Sequence, residues 1–329
     1  MDNRHTNNKL VLFTLSAIVF LASSSASAQQ AKVYRIGVLL PGEAWYEIIA
    51  GLRDGLTQLG LHEGKNFSLL MRDWTGDAKT AEETAQAFER ERVDLVYTTS
   101  TNGTIAAKRS TTSLPIVFCA GTDPVALGLV NSFAKPGGRL SGVYNPVTDL
   151  TAKRLEILKE IVPTIRRVIT FYDPRRATAI ESSKLGREAA RKMGIQLIER
   201  HVTSDEELQN NVRTLKDGEA DAYLAVSDPI ASNQSQVIIE AAITKRLPTM
   251  FDFRLHVTKG GLSTYTVSLH EAGRLSAKYV QRVLAGMKPS ELPVQGVDKI
   301  ELVLNLKTAK QIGLIIPPNV LARADRVIK

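Results

Sequence analysis

Four apolar runs in this chain end at an aspartate, and this recurrence constrains the fold more than any other feature. The runs are residues 115–124 (PIVFCAGTDP), 168–174 (VITFYDP), 222–229 (AYLAVSDP) and 248–252 (PTMFD). Such continuous apolar runs predict buried strands of a parallel sheet. Ligands of open α/β sheets bind outside the carboxyl ends of the strands, so the aspartates lie where a cleft is expected. An aspartate before a proline is also, and more often, a helix cap.

Strands and helices alternate along the chain in two successive series. The first predicted series of strands covers residues 34–40, 67–71, 95–99, 116–120 and 140–144. The second covers residues 168–172, 195–198, 222–226, 249–252 and 262–265, followed by a helix over 269–285 and a final strand over 300–304. Two βα series of similar length predict an α/β protein with two similar doubly wound, parallel-sheet lobes.

The amino terminus has the pattern of a secretory signal peptide. Arg4 and Lys9 precede a 13-residue apolar run, residues 10–22, and the small residues ASA follow at 26–28. The run is short for a membrane span, so residues 1–28 are predicted to be removed after Ala28. No cysteine lies near that site to carry a lipid anchor. We therefore predict a freely diffusing exported protein, which in a bacterium means the periplasm.

Composition offers little support for catalysis, for a metal site or for a cofactor. The five histidines show no metal-ligand spacing, and the chain has neither a Gly-x-Ser-x-Gly elbow nor a phosphate loop. Its single cysteine, Cys119, lies inside an apolar run and is predicted to be a buried hydrophobe. The formal charge of +8 is scattered over helix faces, which argues against a nucleic-acid partner. We predict that the chain is not an enzyme and needs no cofactor, with an exported hydrolase or lyase using paired aspartates as the alternative.

A polar loop follows the third predicted strand and opens a helix. Ser100, Thr101 and Asn102 bring hydroxyl and amide groups to the amino terminus of that helix. Backbone N–H groups and partial positive charge make such a terminus suitable for a carboxylate or another anionic group. An ordinary N-cap by Thr101 or Asn102 explains the same residues equally well.

Several segments together resemble the substrate-binding proteins of ABC transporters, most closely the tryptophan/tyrosine-type family. They are residues 55–60 (GLTQLG), 63–66 (EGKN), 99–107 (TSTNGTIAA), 114–118 (LPIVF), 122–125 (TDPV), 128–130 (GLV), 135–138 (KPGG), 141–142 (SG), 302–313 (LVLNLKTAKQIG) and 316–317 (IP). The resemblance covers almost all of the chain after the leader. Residues 42–45 (GEAW) and 251–254 (FDFR) stand where that family varies, so an aromatic amino acid is not assumed as the ligand.

The resemblance implies a type I periplasmic-binding fold, with two lobes joined by crossing strands that close on a ligand. The expected first lobe comprises residues 32–146 plus about 267–290, and the second comprises 147–266 plus about 291–329. Hinge crossings are expected near Asn145, near Thr266 and within residues 289–296. The implied function is capture of a small organic solute, amino-acid-like or otherwise polar or aromatic, for an inner-membrane ABC permease and its ATPase. We expect a monomer, and a ligand sensor that docks on a membrane receptor remains an alternative.

The expected ligand contacts combine the positions at the strand ends with this resemblance. Ser100, Thr101 and Asn102 are expected to hold an anionic or carbonyl group, and Asp228 and Asp252 to accept hydrogen bonds from an ammonium, amide or hydroxyl group. Asp123 ranks lower because it resembles a cap, and Asp173 ranks below it because Arg175 and Arg176 can pair with it. The other expected contacts are Trp45, Thr122, Tyr144 and Ser227.

Overall fold

The structure, a computed structural model, describes residues 32–75 and 77–329. The predicted signal peptide and its cleavage site lie outside the described residues. Within the described part of the chain, no helix has both the length and the apolar character needed to cross a membrane. Two α/β lobes account for residues 33–329, each built on its own sheet.

The sheet of the first lobe has six strands, all parallel, in the order β11-β5-β4-β3-β1-β2. Its strands are β1 (Tyr34–Leu40), β2 (Phe67–Asp73), β3 (Leu95–Thr98), β4 (Ile116–Ala120), β5 (Leu140–Tyr144) and β11 (Gln295–Gly296). Its helices are α1 (Tyr46–Gln58), α2 (Ala78–Arg90), α3 (Thr101–Ser110) and α10 (Leu269–Leu284), with short 3-10 helices at Glu43–Trp45 and Pro289–Glu291.

The sheet of the second lobe has seven strands in the order β13-β12-β10-β9-β8-β6-β7. These strands are β6 (Arg167–Tyr172), β7 (Gln196–His201), β8 (Ala222–Leu224), β9 (Thr249–Phe251), β10 (Ser263–Val267), β12 (Ile300–Asn305) and β13 (Arg326–Ile328). The helices are α4 (Thr151–Ile161), α5 (Ala177–Lys192), α6 (Asp205–Arg213), α7 (Pro229–Asn233), α8 (Ser235–Thr244), α9 (Arg254–Thr258), α11 (Leu306–Gln311) and α12 (Pro318–Leu321). Strand β12 runs antiparallel to β10, so this sheet is mixed at one edge.

Each sheet is covered by helices on both faces, as the continuous apolar runs predict. In β1, Val38 packs in the core under α1 and α10, whereas its neighbour Leu39 packs on the other face with Phe88 of α2. In the second lobe, Leu224 and Tyr223 divide between the two faces in the same way. The fold class, two doubly wound α/β lobes, is therefore confirmed. Because the helices cover the faces of each sheet, the carboxyl ends of the strands are available to form a binding site.

The chain passes between the lobes three times: from β5 to α4, from β10 to α10, and from β11 to β12. The third crossing lies at residues 297–299, just after the expected range of 289–296. Because β11 pairs with β5, residues 295 and 296 belong to the first sheet, whereas the family resemblance implies a second lobe that resumes at about residue 291. A two-residue strand is too short to produce a periodic pattern, which explains the difference.

A fully buried arginine, Arg154 of α4, ties the first two crossings together. Its guanidinium donates to the carbonyl oxygen of Val147, and its Nε donates to the carbonyl oxygen of Tyr265 at 3.0 Å. Burial lowers the pKa of Arg154 to about 10, and the negative charge of Asp252 opposes that shift. The hinge region is thus hydrogen-bonded through a charged side chain rather than packed by apolar groups alone.

Candidate functional site

A cavity lies between the lobes, where the carboxyl ends of both sheets face each other, and with the lobes as they stand it leaves about 30 Å³ of free space. The first lobe contributes Trp45, Thr99, Ser100, Thr101, Asn102, Gly121 and Asn145. The first crossing contributes Val147, and the second lobe contributes Thr178, Ser227, Asp228, Pro229, Asp252 and Phe253.

The wall from the first lobe is the beginning of α3. Ser100, in an extended conformation, is the N-cap, and its Oγ accepts from the N–H of Gly103 at 3.2 Å. The cap expected at Thr101 or Asn102 is therefore one or two residues earlier. Thr101 instead accepts the N–H groups of Gly121 and Thr122, at 2.9 and 3.1 Å, and so fixes the loop after β4 against the helix. The first turn of a helix leaves N–H groups without intrahelical acceptors, so this wall favours an anionic group.

Asp228, on the opposite wall, is a helix cap as well as a cavity residue. One carboxylate oxygen accepts the N–H of Ala231 at 3.0 Å, and the other accepts the N–H of Asp173 at 3.1 Å. The side chain is buried, and burial raises the pKa of its carboxyl to about 6. Because both oxygens already accept hydrogen bonds, Asp228 has less capacity left for a ligand than its position at the strand end suggests.

Asp252 follows β9 and differs from Asp228 in having an oxygen without a partner. Its side chain is buried, and its Oδ2 has no hydrogen-bond partner among the described residues. Its Oδ1 lies 3.6 Å from Nδ1 of His256, whose Nε2 is 3.1 Å from the hydroxyl of Ser232. A buried acceptor without a donor is costly, so Oδ2 is well suited to a donor group of a bound molecule.

Two further polar atoms of cavity residues are buried without a partner in the described part of the chain. They are Oδ1 of Asn145, at the first crossing, and Oγ of Ser227, after β8. Buried polar groups in proteins are nearly always hydrogen-bonded, and exceptions in a cavity point to contacts made by an occupant. Asn145 Oδ1 and Asp252 Oδ2 can only accept, whereas the Ser227 hydroxyl can donate or accept, so the cavity offers an occupant at least two acceptors.

Contacts between the lobes close the cavity on two sides. Trp45 and Phe253 meet edge to face with ring centroids 5.1 Å apart, and both rings line the cavity. Asn102 donates from its side-chain amide to the hydroxyl of Thr178 at 2.9 Å. Each pair joins one lobe to the other, so the structure describes the lobes in a closed arrangement.

Four of the residues expected at the site do not line this cavity. The hydroxyl of Thr122 bonds to Thr148, and Asp123 caps its own turn by accepting from the N–H groups of Val125 and Ala126. Tyr144 donates to the carboxylate of Asp149. Asp173 is fully buried and pairs with Arg175 and Arg176, as the sequence analysis considered.

The cavity also contains residues that the expected set omitted. They are Thr99, Gly121, Asn145, Val147, Thr178, Pro229 and Phe253. Asn145 and Gly121 follow strands β5 and β4 directly, so the rule that selected the aspartates also applies to them. Thr178 lies in α5, and no local sequence pattern marks it as a cavity residue. It lines the cavity because Asn102 of α3, in the other lobe, contacts it.

Comparison with known proteins gives consistent matches across the chain. The family model described as ABC transporter substrate binding protein matches residues 34–328. A tyrosine-binding protein of Clostridioides difficile (strain R20291) is 24% identical, over 80% of this chain and 76% of that protein.

Two solved structures share the fold over 90% of this chain and 100% of their own. One is a conserved domain protein from Vibrio cholerae, 28% identical with a TM-score of 0.83. The other is an ABC domain from Streptococcus pneumonia in complex with L-Trp, 24% identical with a TM-score of 0.81.

Proposed function

The chain belongs to the ABC transporter substrate binding protein family, and from this premise we propose that it captures one small organic ligand between its lobes and delivers it to a membrane permease. The family is one of solute-binding proteins rather than a class of enzymes. The observation that carries the proposal is the cavity between the strand ends, closed by both lobes and containing a buried carboxylate oxygen that has no partner among the residues the structure describes.

The chemistry of the cavity favours an amino acid with an apolar, aromatic side chain. Asp252 offers an acceptor for an ammonium group, and the amino terminus of α3 offers donors for a carboxylate. The edge-to-face pair of Trp45 and Phe253 supplies an aromatic surface. The named ligands of two relatives, tyrosine and L-Trp, support the same class of ligand.

The proposal includes export and a membrane partner. The leader pattern at residues 1–28 and the family, whose members are extracellular or periplasmic, support a periplasmic receptor that begins at Gln29. Delivery would use an inner-membrane ABC permease and its ATPase, with the receptor acting as a monomer. We propose residues 33–145 with 268–296 as the first lobe and residues 147–267 with 300–329 as the second, on the basis of strand pairing and helix packing.

Isothermal titration calorimetry with L-tryptophan and L-tyrosine tests this function, with L-lysine and glucose as controls. We expect saturable binding of an aromatic amino acid. In urea denaturation, the unfolding free energy should rise by about 2.7 kcal/mol when the ligand is at a hundredfold excess over its dissociation constant. The ligand should be recovered chemically unchanged. Absence of binding, or a converted product, would contradict the proposal; protein from the native compartment whose mass still includes residues 1–28 would contradict export.

A further inference from the structure

Residues 41–47 of the first lobe, which we call the closing segment, contact the second lobe at positions 41, 42, 43, 45 and 47. The segment connects β1 to α1 and contains the 3-10 helix Glu43–Trp45. Its polar contacts are the carbonyl oxygen of Pro41 with the side-chain amide of Asn233 at 2.9 Å, Glu43 with Lys259, and Glu47 with Arg254. These partners lie in α7 and α9 and in the turn after α9, which are close together in the second lobe.

The closest approach is at Gly42, where the structure leaves no room for a side chain. Gly42 has φ 149° and ψ −170°, a backbone conformation that is essentially limited to glycine. A Cβ atom added there would lie 2.0 Å from Oδ1 of Asn233. The obstacle belongs to the other lobe, so this clash, unlike the requirement set by the backbone conformation of Gly42, exists only while the lobes are closed.

The ion pairs of the closing segment differ in how much they contribute. Glu43 is exposed and Lys259 is half-buried, and a pair with one partner in water contributes little. Glu47 and Arg254 are each only 23% exposed, and Arg254 also holds Glu301 of its own lobe at 3.1 Å. Because Glu301 belongs to the same lobe as Arg254, it can hold the Arg254 guanidinium in place when the lobes are apart and Glu47 is distant.

The same segment also reaches the cavity. Trp45 lines the cavity and meets Phe253 of the second lobe, three residues after the point where Gly42 meets Asn233. A ligand that contacts Trp45 and Phe253 therefore brings the rest of the segment against α7 and α9.

We propose that the closing segment and Asn233 form a latch that sets how slowly the ligand leaves, with Gly42 as the positioning residue. The inference rests on the proposed function, because it assumes that a ligand is held between closed lobes. Contacts made only in the closed form lower its free energy relative to the open form. Since release requires opening, loss of the latch raises the dissociation rate while the cavity itself is unchanged.

A double-mutant cycle at Gly42 and Asn233 tests the latch. Gly42→Ala places a methyl group against the Asn233 amide, and we expect L-tryptophan to dissociate roughly tenfold faster or more. Asn233→Ala loses one hydrogen bond and should act more weakly. The double variant should recover part of the way toward Asn233→Ala, because truncating the amide makes room for the methyl group while the backbone strain at position 42 remains. Gly60→Ala is the matched control, since Gly60 has φ 80° and nothing within 4 Å of an added Cβ.

A second measurement reports closure without any ligand. The double variant Glu43→Cys with Lys259→Cys has one thiol on each lobe at the latch, and a short bismaleimide cross-links the two thiols when the lobes close. The natural Cys119 is buried and therefore does not compete for the reagent. In this background Gly42→Ala should slow cross-linking, and adding Asn233→Ala should restore part of the rate because the clash is removed. If Gly42→Ala does not fold, Asn233→Asp tests the latch from the second lobe, since it sets a carboxylate against the Pro41 carbonyl and should also slow cross-linking.

The two measurements separate failure of the latch from failure of the proposed ligand. Cross-linking that follows the expected order while L-tryptophan does not bind would support the latch and refute the ligand. Cross-linking and dissociation that are unchanged by Gly42→Ala would overturn the latch. A Gly42→Ala defect that Asn233→Ala does not relieve would also overturn it, because the defect would then be backbone strain within the first lobe.

Discussion

At the scale of single residues, two aspartates that follow strands in the same lobe differ through contacts distant in sequence. Asp228 accepts the N–H of Asp173, which lies 55 residues away, in addition to capping α7. Asp252 retains a buried oxygen without a described partner. Local sequence selects both positions because both end an apolar run. It does not distinguish the cap from the free acceptor, since the decisive N–H comes from a neighbouring strand end.

This contrast predicts that aspartate-to-asparagine substitution mainly weakens ligand binding at position 252 and mainly lowers the unfolding free energy at position 228. Asp252→Asn should weaken L-tryptophan binding by about 1.5–3 kcal/mol, because a charge-assisted hydrogen bond to the ammonium is lost. Its unfolding free energy should change less than that of Asp228→Asn, because Asp252 caps no helix, although its charge no longer favours the protonated form of buried Arg154. Asp228→Asn should instead lower the unfolding free energy by about 1–2 kcal/mol, because its amide N–H₂ would face one of the two backbone donors.

Calorimetry and urea denaturation of both variants measure these effects. Unchanged affinity in Asp252→Asn would show that the ammonium lies elsewhere in the cavity. A large affinity loss in Asp228→Asn, with stability unaffected, would restore Asp228 as the main ligand acceptor.

At the scale of elements, the close packing of α1 on α10 depends on small residues that an apolar pattern does not register. The spacing of residues in the sequence predicts an inner face of α10 at Ala272, Leu275, Tyr279 and Val283. The buried face also includes Gly273, where an added Cβ would lie 1.9 Å from the carbonyl oxygen of Ile48 in α1. The apolar periodicity thus predicts that α10 is a helix and roughly which face is buried. How closely α10 approaches α1 depends on Gly273, which has no side chain.

Replacing this glycine should destabilise the first lobe. Gly273→Ala must push α10 away from α1, at a cost of about 1–3 kcal/mol in unfolding free energy, as for other overpacked interiors. Gly186→Ala in α5 is the matched control, because the nearest atoms to its added Cβ are 3.5 and 3.6 Å away. That variant should gain about 0.5–1 kcal/mol from the higher helix propensity of alanine. Equal denaturation midpoints for the two variants would contradict the close approach of the helices.

Strands with a clear apolar run were predicted closely, and short strands were not. The predicted bounds of β1, β4 and β5 match the structure, because each is a buried run ended by polar or turn residues. The two-residue β11 and the three-residue β13 were missed, since neither has room for a pattern. The antiparallel direction of β12 also went unpredicted, because a single strand's composition does not encode its direction.

At the scale of the whole molecule, the order of elements along the chain differs from their arrangement in space. Helix α10 follows β10 of the second sheet but packs on α1 of the first lobe, and the chain returns to the second sheet at β12. The alternation of strands and helices predicted two lobes, and the family resemblance predicted the crossings between them. Contacts across the cleft, such as that of Asn102 with Thr178, depend on how the two lobes meet. The pattern of strands and helices within one lobe does not predict them.

Three narrow crossings and a polar interface predict that the lobes separate when the cavity is vacant. Among the described residues, the contacts that span the cleft include hydrogen bonds, ion pairs, the aromatic pair and the cation–π contact of Arg176 with Trp74, and a ligand that touches both walls shifts the population toward the closed form. Small-angle X-ray scattering should therefore report a smaller radius of gyration when saturating L-tryptophan is added to the free protein. L-lysine at the same concentration should leave the radius unchanged. A radius that does not change although calorimetry shows full occupancy would mean that the lobes are already closed without ligand, and that access to the cavity depends on brief opening rather than on a stable open form.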